Sequence, residues 1–382
     1  MAEIPFTRPH LTGGELASIA EAIDGRRLGG AGRFTQTCES WLERRLGCAR
    51  VSLTHSCTAA LEMAALLIGI EPGDEVIMPS YTFSSTANAV VLRGATPVFA
   101  DCVSDTMNID VDDIEALITP ATKAIMPVHY AGRPPDMDRI NAIADAHGLI
   151  VIEDAAQSLG STYKGAPAGT HSHLAAISFH ETKNVVSGEG GALIISDPCY
   201  VERAAILREK GTNRAAFMDG LVDKYTWVDV GSSYLPSELV AAFLAQQLEA
   251  TDSITKDRLR LWRAYRDALG EAADTHGLIL PARIDADAVP NGHIFHVLLA
   301  NADQRAPFLN RMKEHGIQCS FHYVPLHTAP AGKRFGRAPL GCPTTEDAAA
   351  RLVRLPLFAG MGEAESGRVV EATLETLKEI GA

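Results

Sequence analysis

Residues 51–101 read VSLTHSCTAALEMAALLIGIEPGDEVIMPSYTFSSTANAVVLRGATPVFAD, and this stretch decides the predicted fold. Three short apolar segments, VSLT, DEVIMP and TPVFAD, alternate in it with two longer segments that have the spacing of helices. Because the short segments are apolar almost throughout, both faces of the predicted sheet should be covered. This alternation indicates a mainly parallel sheet flanked by helices, which is an α/β fold.

The same pattern extends beyond this stretch in both directions. Helix-like VDDIEALI, strand-like KAIMPVH, helix-like DMDRINAIADAHG and strand-like LIVIED follow it. Upstream, residues 15–47 predict two amphipathic helices joined by the turn GGAGR. Downstream, AAISFH and GGALIISD predict adjoining strands, with a polar loop between them that carries a lysine.

The C-terminal part predicts a second, smaller α/β domain. Residues 236–269 form one helical stretch, long enough to run from one domain into the next. Strand-like HIFHVLLA, helix-like QRAPFLNRMKEHG, a His-rich strand and loop CSFHYVPLH, and a terminal helix follow. We therefore predict a large domain over 1–248, including the N-terminal helices, and a small domain over 249–382.

Composition excludes several classes of partner. The chain has 382 residues and a formal charge of -13 without any run of Lys and Arg, so nucleic acid is not expected as a partner. The net charge does not exclude a small anionic ligand, which local basic side chains and backbone N–H groups can hold. Seven scattered cysteines without a C-x-x-C pair indicate neither a disulfide framework nor a metal site. The start lacks a signal core, and no apolar run reaches the roughly 20 residues that span a bilayer. We predict a cytoplasmic protein without a membrane partner.

An acidic pair ends the strand LIVIED. In an open α/β sheet, ligands bind at the carboxyl ends of strands, which is where Glu153 and Asp154 stand. A carboxylate there could face the pyridine nitrogen of pyridoxal phosphate (PLP), whose protonated ring withdraws electrons from a carbanion. Gln157, about one helical turn later, could hydrogen-bond the ring oxygen. The alternative for Asp154 is a helix N-cap.

A lysine follows the next strand. ISFHETKN places Ser178 and Lys183 just before the glycines of SGEGG. A lysine on a short, partly desolvated loop can lose its proton and form a Schiff base with an aldehyde, whereas a lone loop lysine is usually a solvated charge. The glycines could equally form a turn between strands. His180 and Glu181 could line a pocket or serve packing or the surface.

Two further segments suit the same ligand. LTHSCTAALEMAA sets small and hydroxyl residues at a strand-to-helix junction, where Cys57, Thr58 and Ala59 could hold a phosphate or simply cap the helix. Phe83, beyond DEVIMP, could stack on a cofactor ring or belong to the core. Phosphate turn, aromatic ring, strand-end aspartate and lysine occur in the order that one PLP site requires, so PLP is the predicted cofactor.

Several long motifs are shared with a known family. They are PFTRPHLTGGEL, THSCTAALEMAALL, GDEVIMPSYTFSSTANAVVLRGA, VHYAG, VIEDAAQSLGSTYKG, SFHETKN, GEGGALI, REKGTNR and HYVPLH. Through them essentially the whole chain resembles the DegT/DnrJ/EryC1/StrS family of sugar-nucleotide aminotransferases, a branch of the fold type I PLP enzymes. DTMNID, DKYTW and GSSYL add a resemblance to its dTDP-4-amino-4,6-dideoxygalactose transaminases of surface-polysaccharide assembly.

The resemblance implies a role for each matching residue. Lys183 would be the Schiff-base lysine, and because some relatives carry histidine there and act as dehydratases, a lysine favours transamination. Asp154 would be the pyridinium partner and Gln157 the ring-oxygen contact. Phe83 would stack on the ring. The phosphate cradle would comprise Cys57, Thr58 and Ser178.

One position departs from the family pattern. Many relatives have an asparagine at Ser233 that reaches the cofactor phosphate of the neighbouring subunit, and Leu235 replaces a common basic residue. The resemblance still implies a homodimer with shared active sites, in which Ser233 could donate a hydrogen bond over a shorter reach. His327, Lys210 and Arg214 are candidates for sugar or diphosphate contacts, or for structural roles.

The implied reaction transfers an amino group from L-glutamate to a dTDP-4-keto-6-deoxyhexose. It would give 2-oxoglutarate and a dTDP-4-amino-4,6-dideoxyhexose, with the galactose form favoured, for lipopolysaccharide or a related surface polysaccharide. Alternatives are a UDP- or GDP-linked 4-keto sugar, a PLP-dependent sugar dehydratase, and a non-catalytic regulatory relative.

Overall fold

The structure is a computed structural model that describes residues 3–381. Its strands are β1 (Arg50–Thr54), β2 (Glu75–Pro79), β3 (Thr96–Ala100), β4 (Thr122–Ile125), β5 (Ile150–Asp154), β6 (Thr162–Tyr163), β7 (Ala166–Pro167), β8 (Leu174–Ser178), β9 (Gly191–Ile195), β10 (Ala288–Val289), β11 (Phe295–Leu298) and β12 (Leu352–Leu355). Its α-helices are α1 (Glu15–Asp24), α2 (Arg33–Leu46), α3 (Cys57–Leu67), α4 (Ser84–Val91), α5 (Val111–Leu117), α6 (Met137–His147), α7 (Val201–Arg208), α8 (Arg214–Met218), α9 (Glu238–Glu249), α10 (Thr251–Ala268), α11 (Gly270–His276), α12 (Arg305–Glu314), α13 (Pro330–Phe335), α14 (Pro343–Arg351) and α15 (Glu363–Glu379).

Seven strands form the large sheet, in the order β1-β9-β8-β5-β4-β2-β3. Only β9 is antiparallel to its neighbours β1 and β8, and the other pairs are parallel. Helices cover the sheet on both faces: Leu61 of α3 and Ala204 of α7 belong to one apolar cluster, and Leu42 of α2 and Leu244 of α9 to another. The predicted α/β architecture with a mainly parallel sheet is confirmed.

The parallel strands bring several loops to one edge of the sheet. β1, β2, β5 and β8 all run in the same direction, so the residues that follow them emerge together. β9 starts at this edge with Gly191, where an added Cβ would lie 2.4 Å from the backbone nitrogen of Cys57. Glycine is therefore required for β9 to begin beside the N-terminus of α3.

The two predicted N-terminal helices are present, and Glu238 of α9 anchors the second. Its carboxylate accepts hydrogen bonds from the backbone N–H groups of Gly32 at 3.0 Å, Phe34 at 2.8 Å and Thr35 at 3.1 Å. These are donors that the first turn of a helix leaves unpaired, and a carboxylate there also complements the helix dipole. Glu238 thereby fixes α2 against α9.

The C-terminal part has its own core around the antiparallel pair β11–β12. Phe295 of β11, Phe308 of α12 and Leu377 of α15 pack in it, and Ile4 joins them from the N-terminus. Prediction and structure differ at two places. The single helical stretch over 236–269 divides at Ala250 into α9 and α10, and α10 packs against α15. The His-rich segment is a loop with one bridge to β12 rather than a strand.

The domain boundary after residue 248 lies beside this break and stays a prediction. Across it, β10 adds to the small sheet of β6 and β7, so the two parts are joined by backbone pairing as well as by packing. Within residues 3–381, no helix is both long enough and apolar enough to cross a membrane.

Candidate active site

A cavity of about 690 Å³ lies at the sheet edge where β1, β2, β5 and β8 end. Its volume falls in the range of small-molecule sites, about 300–1,000 Å³. Seven of the eight residues predicted to hold the cofactor line it: Cys57, Thr58, Phe83, Asp154, Gln157, Ser178 and Lys183. The structure thus brings together side chains from four separate loops that the sequence predicts to share one ligand.

Asp154 is buried at the end of β5, and its carboxylate faces the cavity. The Thr86 hydroxyl donates to its Oδ2 at 2.7 Å, and the Ala156 N–H to its Oδ1 at 3.2 Å. Burial raises the pKa of Asp154, while the hydrogen bond from Thr86 opposes that shift. The side chain of the adjacent Glu153 points to the opposite face of the sheet, because successive residues of a strand alternate between the two faces. There it is fully buried, with its Oε2 3.1 Å from Nε2 of His129.

Lys183 lies on the loop between β8 and β9. Its backbone N–H donates to the carbonyl of His180 at 2.9 Å, which makes a tight turn. The next residue, Asn184, donates to the carbonyl of Asn291 at 3.1 Å and bonds His293 at 2.9 Å, so the loop is tied to the C-terminal part. Burial lowers the pKa of Lys183, which favours the neutral, nucleophilic amine.

Small hydroxyl residues surround the N-terminus of α3. Ser56 caps the helix by accepting from the N–H of Ala59 at 3.1 Å, and Thr58 bonds Ser85 of α4 at 2.8 Å. Ser178, at the end of β8, accepts from the N–H of His180 at 3.3 Å. All four hydroxyl side chains line the cavity, beside free N–H groups at the positive end of a helix dipole.

Gln157 and Phe83 meet the same aromatic residue, Tyr323. The Gln157 amide donates to the Tyr323 hydroxyl at 2.9 Å, and its carbonyl accepts from the N–H of Ala131 at 2.8 Å. Ala131 has the left-handed backbone angle φ 55, so a strained turn supports this hydrogen bond. The Phe83 ring lies 6.2 Å from the Tyr323 ring and is 59% exposed. An aromatic wall therefore borders the cavity.

Sequence reasoning did not identify several residues that line the cavity, nor Thr86, which supports Asp154 from behind it. The spacing of Thr82 and Thr86 could have indicated them, because the two hydroxyl groups stand four residues apart around the start of α4 and bond each other at 2.8 Å. Tyr323 and His322 belong to the HYVPLH motif, of which only His327 was predicted to be a site residue. Arg354 gave no signal, because a strand residue near the C-terminus reaches the cavity only through folding.

Four predicted residues lie outside the cavity of this chain. His327 is fixed between Ser80, at 2.6 Å from its Nδ1, and Glu346, at 3.0 Å from its Nε2. Lys210, Arg214 and Ser233 all belong to the segment 209–233. The predicted roles of these four residues stay predictions. Of the three other candidates, His180 lines the cavity, whereas Ala59 and Glu181 do not.

The residues present fit PLP. Asp154 is a buried carboxylate with no cation within ion-pair distance in residues 3–381, so a protonated pyridine would supply the missing positive charge. Lys183 likewise forms no side-chain hydrogen bond or ion pair in this part of the chain, which leaves its amine available for an aldehyde. The hydroxyl groups at the start of α3 suit the phosphate.

Comparisons with known proteins agree with this geometry. Residues 9–374 match the model of the DegT/DnrJ/EryC1/StrS aminotransferase family. The chain is 33% identical to the spore coat polysaccharide biosynthesis protein SpsC of Bacillus subtilis (strain 168), over 98% of this chain and 97% of that one. It is similar to S. venezuelae DesV in complex with a ketimine intermediate, with 32% identity, 99% of each chain covered and a TM-score of 0.90. It is also similar to the PMP form of Spr1654 from Streptococcus pneumoniae, with 25% identity, 99% of this chain and 100% of that chain covered, and a TM-score of 0.91.

Proposed function

Because this chain belongs to the DegT/DnrJ/EryC1/StrS aminotransferase family and is a PLP-dependent aminotransferase, we propose that its substrates are L-glutamate and a dTDP-linked 4-keto-6-deoxyhexose. The products are 2-oxoglutarate and a dTDP-4-amino-4,6-dideoxyhexose, in the galactose form, for a surface polysaccharide such as lipopolysaccharide. The observation that carries the amino transfer is the presence of Lys183, Asp154 and the α3 hydroxyl groups in one cavity. The name of SpsC supports the polysaccharide context.

Each of these cavity residues would contact a different part of the cofactor. Cys57, Thr58 and Ser178 would hold the phosphate with the first N–H groups of α3, and Asp154 would pair with the pyridine nitrogen. Gln157 would contact the ring oxygen, and Phe83 would stack on the ring. Bound in this way, PLP supplies the electron sink that makes the α-hydrogen of an amino acid acidic.

Lys183 moves the protons of both half-reactions. Because burial lowers the pKa of Lys183, its neutral amine would act as a general base toward the α-carbon hydrogen of glutamate. In the second half-reaction the same nitrogen returns a proton to C4 of the sugar. The Thr86 hydroxyl stabilises the negative charge of Asp154, which would keep a bound pyridine nitrogen protonated.

The active site is completed by a second copy of this chain. Apolar side chains of the segment 217–230 are exposed, among them Leu221 at 76% and Trp227 at 78%. Several exposed apolar side chains in one short segment are what an interaction site presents. We place the partner on this segment, which follows Lys210 and Arg214 in the sequence and precedes Ser233. In the dimer these residues reach the sugar nucleotide and the cofactor phosphate of the other subunit, and His327 contacts the sugar.

The test follows the absorbance of the purified protein reconstituted with PLP. L-Glutamate should remove the visible band of lysine-bound PLP, and dTDP-4-keto-6-deoxyglucose should restore it. Loss without recovery keeps the aminotransferase but rejects that sugar, and UDP- and GDP-linked 4-keto sugars are then assayed in the same way. A protein that never develops the band contradicts the assignment of Lys183 and reopens the regulatory alternative.

A further inference from the structure

Arg354 is a cavity residue that neither the cofactor nor the proton transfers use. It belongs to β12 and lines the cavity together with Leu355 of the same strand. Its guanidinium lies over the Phe6 ring, 4.6 Å from the ring centroid. A permanent positive charge beside apolar walls is costly unless an anion or several hydrogen bonds accompany it.

Neutral groups hold the guanidinium in place. Its Nε and Nη2 donate to the carbonyl of Phe321 at 3.1 Å and 2.9 Å, and Nη2 also contacts the Ser320 hydroxyl at 3.5 Å. Across residues 3–381, no carboxylate lies within 4 Å of it, and Nη1 makes no hydrogen bond. Arg354 is therefore oriented by carbonyl oxygen while part of its donor edge stays free.

The other cations of the cavity are already committed. Arg258 is 5% exposed, and its donors go to the carbonyls of Gly292 at 3.0 Å and His293 at 2.7 Å, where it supports the chain. Lys183 must remain neutral and mobile for the reaction. Arg354 is also held in position but is only partly buried, so of the two arginines that line the cavity within residues 3–381 it is the more accessible to a ligand.

Arg354 and Lys183 face the same space. The guanidinium charge contributes to the lowering of the Lys183 pKa, in addition to burial, so the two groups lie within electrostatic reach. Both residues line the same cavity, so a substrate that reacts at Lys183 occupies the space that Arg354 borders. The adjoining wall is apolar, with Phe6, Leu355 and Leu357, which suits a short carbon chain better than a nucleotide.

From this geometry we propose that Arg354 binds a carboxylate of the amino donor, so that it is the donor-specificity residue of the site. The free N–H groups of a planar guanidinium have the geometry to donate to the two oxygens of a carboxylate, and the single positive charge neutralises the single negative charge. The inference rests on the proposed function, in which L-glutamate is the donor. The sugar diphosphate is the competing ligand, and it carries more negative charge than one half-used guanidinium would balance.

The first test measures binding rather than turnover. Glutarate, a five-carbon dicarboxylate that lacks the amino group, is titrated by calorimetry into the PLP-loaded wild type, Arg354→Met, Arg354→Lys and Arg351→Met. Loss of a charge-assisted hydrogen bond should weaken glutarate binding by at least about tenfold in Arg354→Met. Arg354→Lys keeps the charge and should bind with intermediate affinity. Arg351, whose side chain bonds Leu299 and Asp347 outside the cavity, is the matched control and should leave the affinity unchanged.

The second test separates the half-reactions. Arg354→Met should raise the KM for L-glutamate by a similar factor and leave the reaction of the pyridoxamine-phosphate form with the keto sugar unchanged. A raised KM for the keto sugar with normal glutamate kinetics assigns Arg354 to the diphosphate and overturns the proposal, as does unchanged glutarate affinity. If the wild type fails to react with glutamate, the proposed donor is wrong, and glutarate binding still reports on Arg354. If Arg354→Met unfolds at a lower temperature than the wild type, the glutarate affinity of Arg354→Lys alone tests the proposal, and an affinity equal to that of the wild type contradicts it.

Discussion

The hydroxyl of Thr86 donates a 2.7 Å hydrogen bond to Oδ2 of Asp154, and both residues are buried. This contact joins the first turn of α4 to the carboxyl end of β5, so the helix that begins after Phe83 also orients the carboxylate that would face the pyridine nitrogen. Because the hydrogen bond favours the charged carboxylate, it opposes the effect of burial on the Asp154 pKa.

Replacing Thr86 by Val should therefore weaken the function of Asp154 without removing the carboxylate. The pKa of Asp154 rises further above its ordinary value, so the acidic limb of the kcat profile should move to higher pH. At neutral pH we expect kcat to fall by about tenfold, the equivalent of one hydrogen bond to a charged group. Thr86→Ser keeps the donor and serves as the control. A Thr86→Val profile that coincides with that of the wild type contradicts the assigned role.

Asp154→Asn should have a larger effect, because the neutral amide cannot hold the pyridine nitrogen in its protonated form. We expect kcat to fall by at least about a hundredfold, a loss typical for removal of a group that acts in the transition state. PLP should still attach to Lys183. Asp145→Asn, on the exposed face of α6, is the matched control. Near wild-type turnover in Asp154→Asn excludes Asp154 as the pyridine partner.

Lys183→Ala should abolish turnover, with kcat reduced by at least about a thousandfold, because nucleophile and proton carrier are lost together. Borohydride reduction followed by peptide mass analysis should find PLP attached at residue 183 in the wild type and no attachment there in the variant. Lys313→Ala, exposed on α12, controls for loss of a surface lysine. Attachment of PLP at a different lysine in the wild-type protein excludes the assignment.

Much of this site could be predicted because parallel strands place their carboxyl ends at one edge. Cys57, Asp154 and Ser178 stand at or just beyond the ends of apolar runs, so a local pattern locates each of them. The register between strands then brings them together without further information. The same argument applies to Lys183, which a short loop keeps close to the end of β8.

The rest depends on contacts between segments that are distant in the sequence. Arg354 enters the cavity because β12 pairs with β11 and its guanidinium binds the carbonyl of Phe321. The break at Ala250 has a similar origin: α9 packs against the N-terminal helices, while α10 turns to the core of the C-terminal part. Helical periodicity continues across such a break, so a local pattern does not reveal it.

The proposed dimer is tested by placing a charge in the exposed apolar segment. Leu221→Asp introduces a carboxylate that would have to be buried at the interface, so the variant should sediment as a monomer at concentrations where the wild type is a dimer. Because the proposed sites are shared, activity should fall in parallel with the dimer fraction. Leu340→Asp, on a different exposed surface, should remain dimeric. If the wild-type protein itself sediments as a monomer, the proposed homodimer is wrong.

The stability of the apoprotein should depend on pH in a way that shows the cost of burying the charged forms of Lys183 and Asp154. Burial lowers the pKa of Lys183 below 10.5, so the folded state binds fewer protons than the unfolded state between these two values, and this residue makes stability rise with pH there. Burial raises the pKa of Asp154 above 3.8, so this residue makes stability fall as pH rises from 3.8 through its folded pKa.

Lys183→Met and Asp154→Asn should therefore each stabilise the apoprotein at pH 7, even though both inactivate the enzyme. Removal of one such charge typically adds about 1 kcal/mol, or roughly two degrees in Tm for a chain of this size. Their pH dependences must be opposite: the gain from Lys183→Met disappears as pH approaches 10.5, and the gain from Asp154→Asn disappears as pH falls to 3.8. Thermal melts of the PLP-free proteins across this range measure both. A loss of stability in either variant at pH 7 would mean that the attraction between Lys183 and Asp154 outweighs their burial, since each variant leaves the other charge without that attraction.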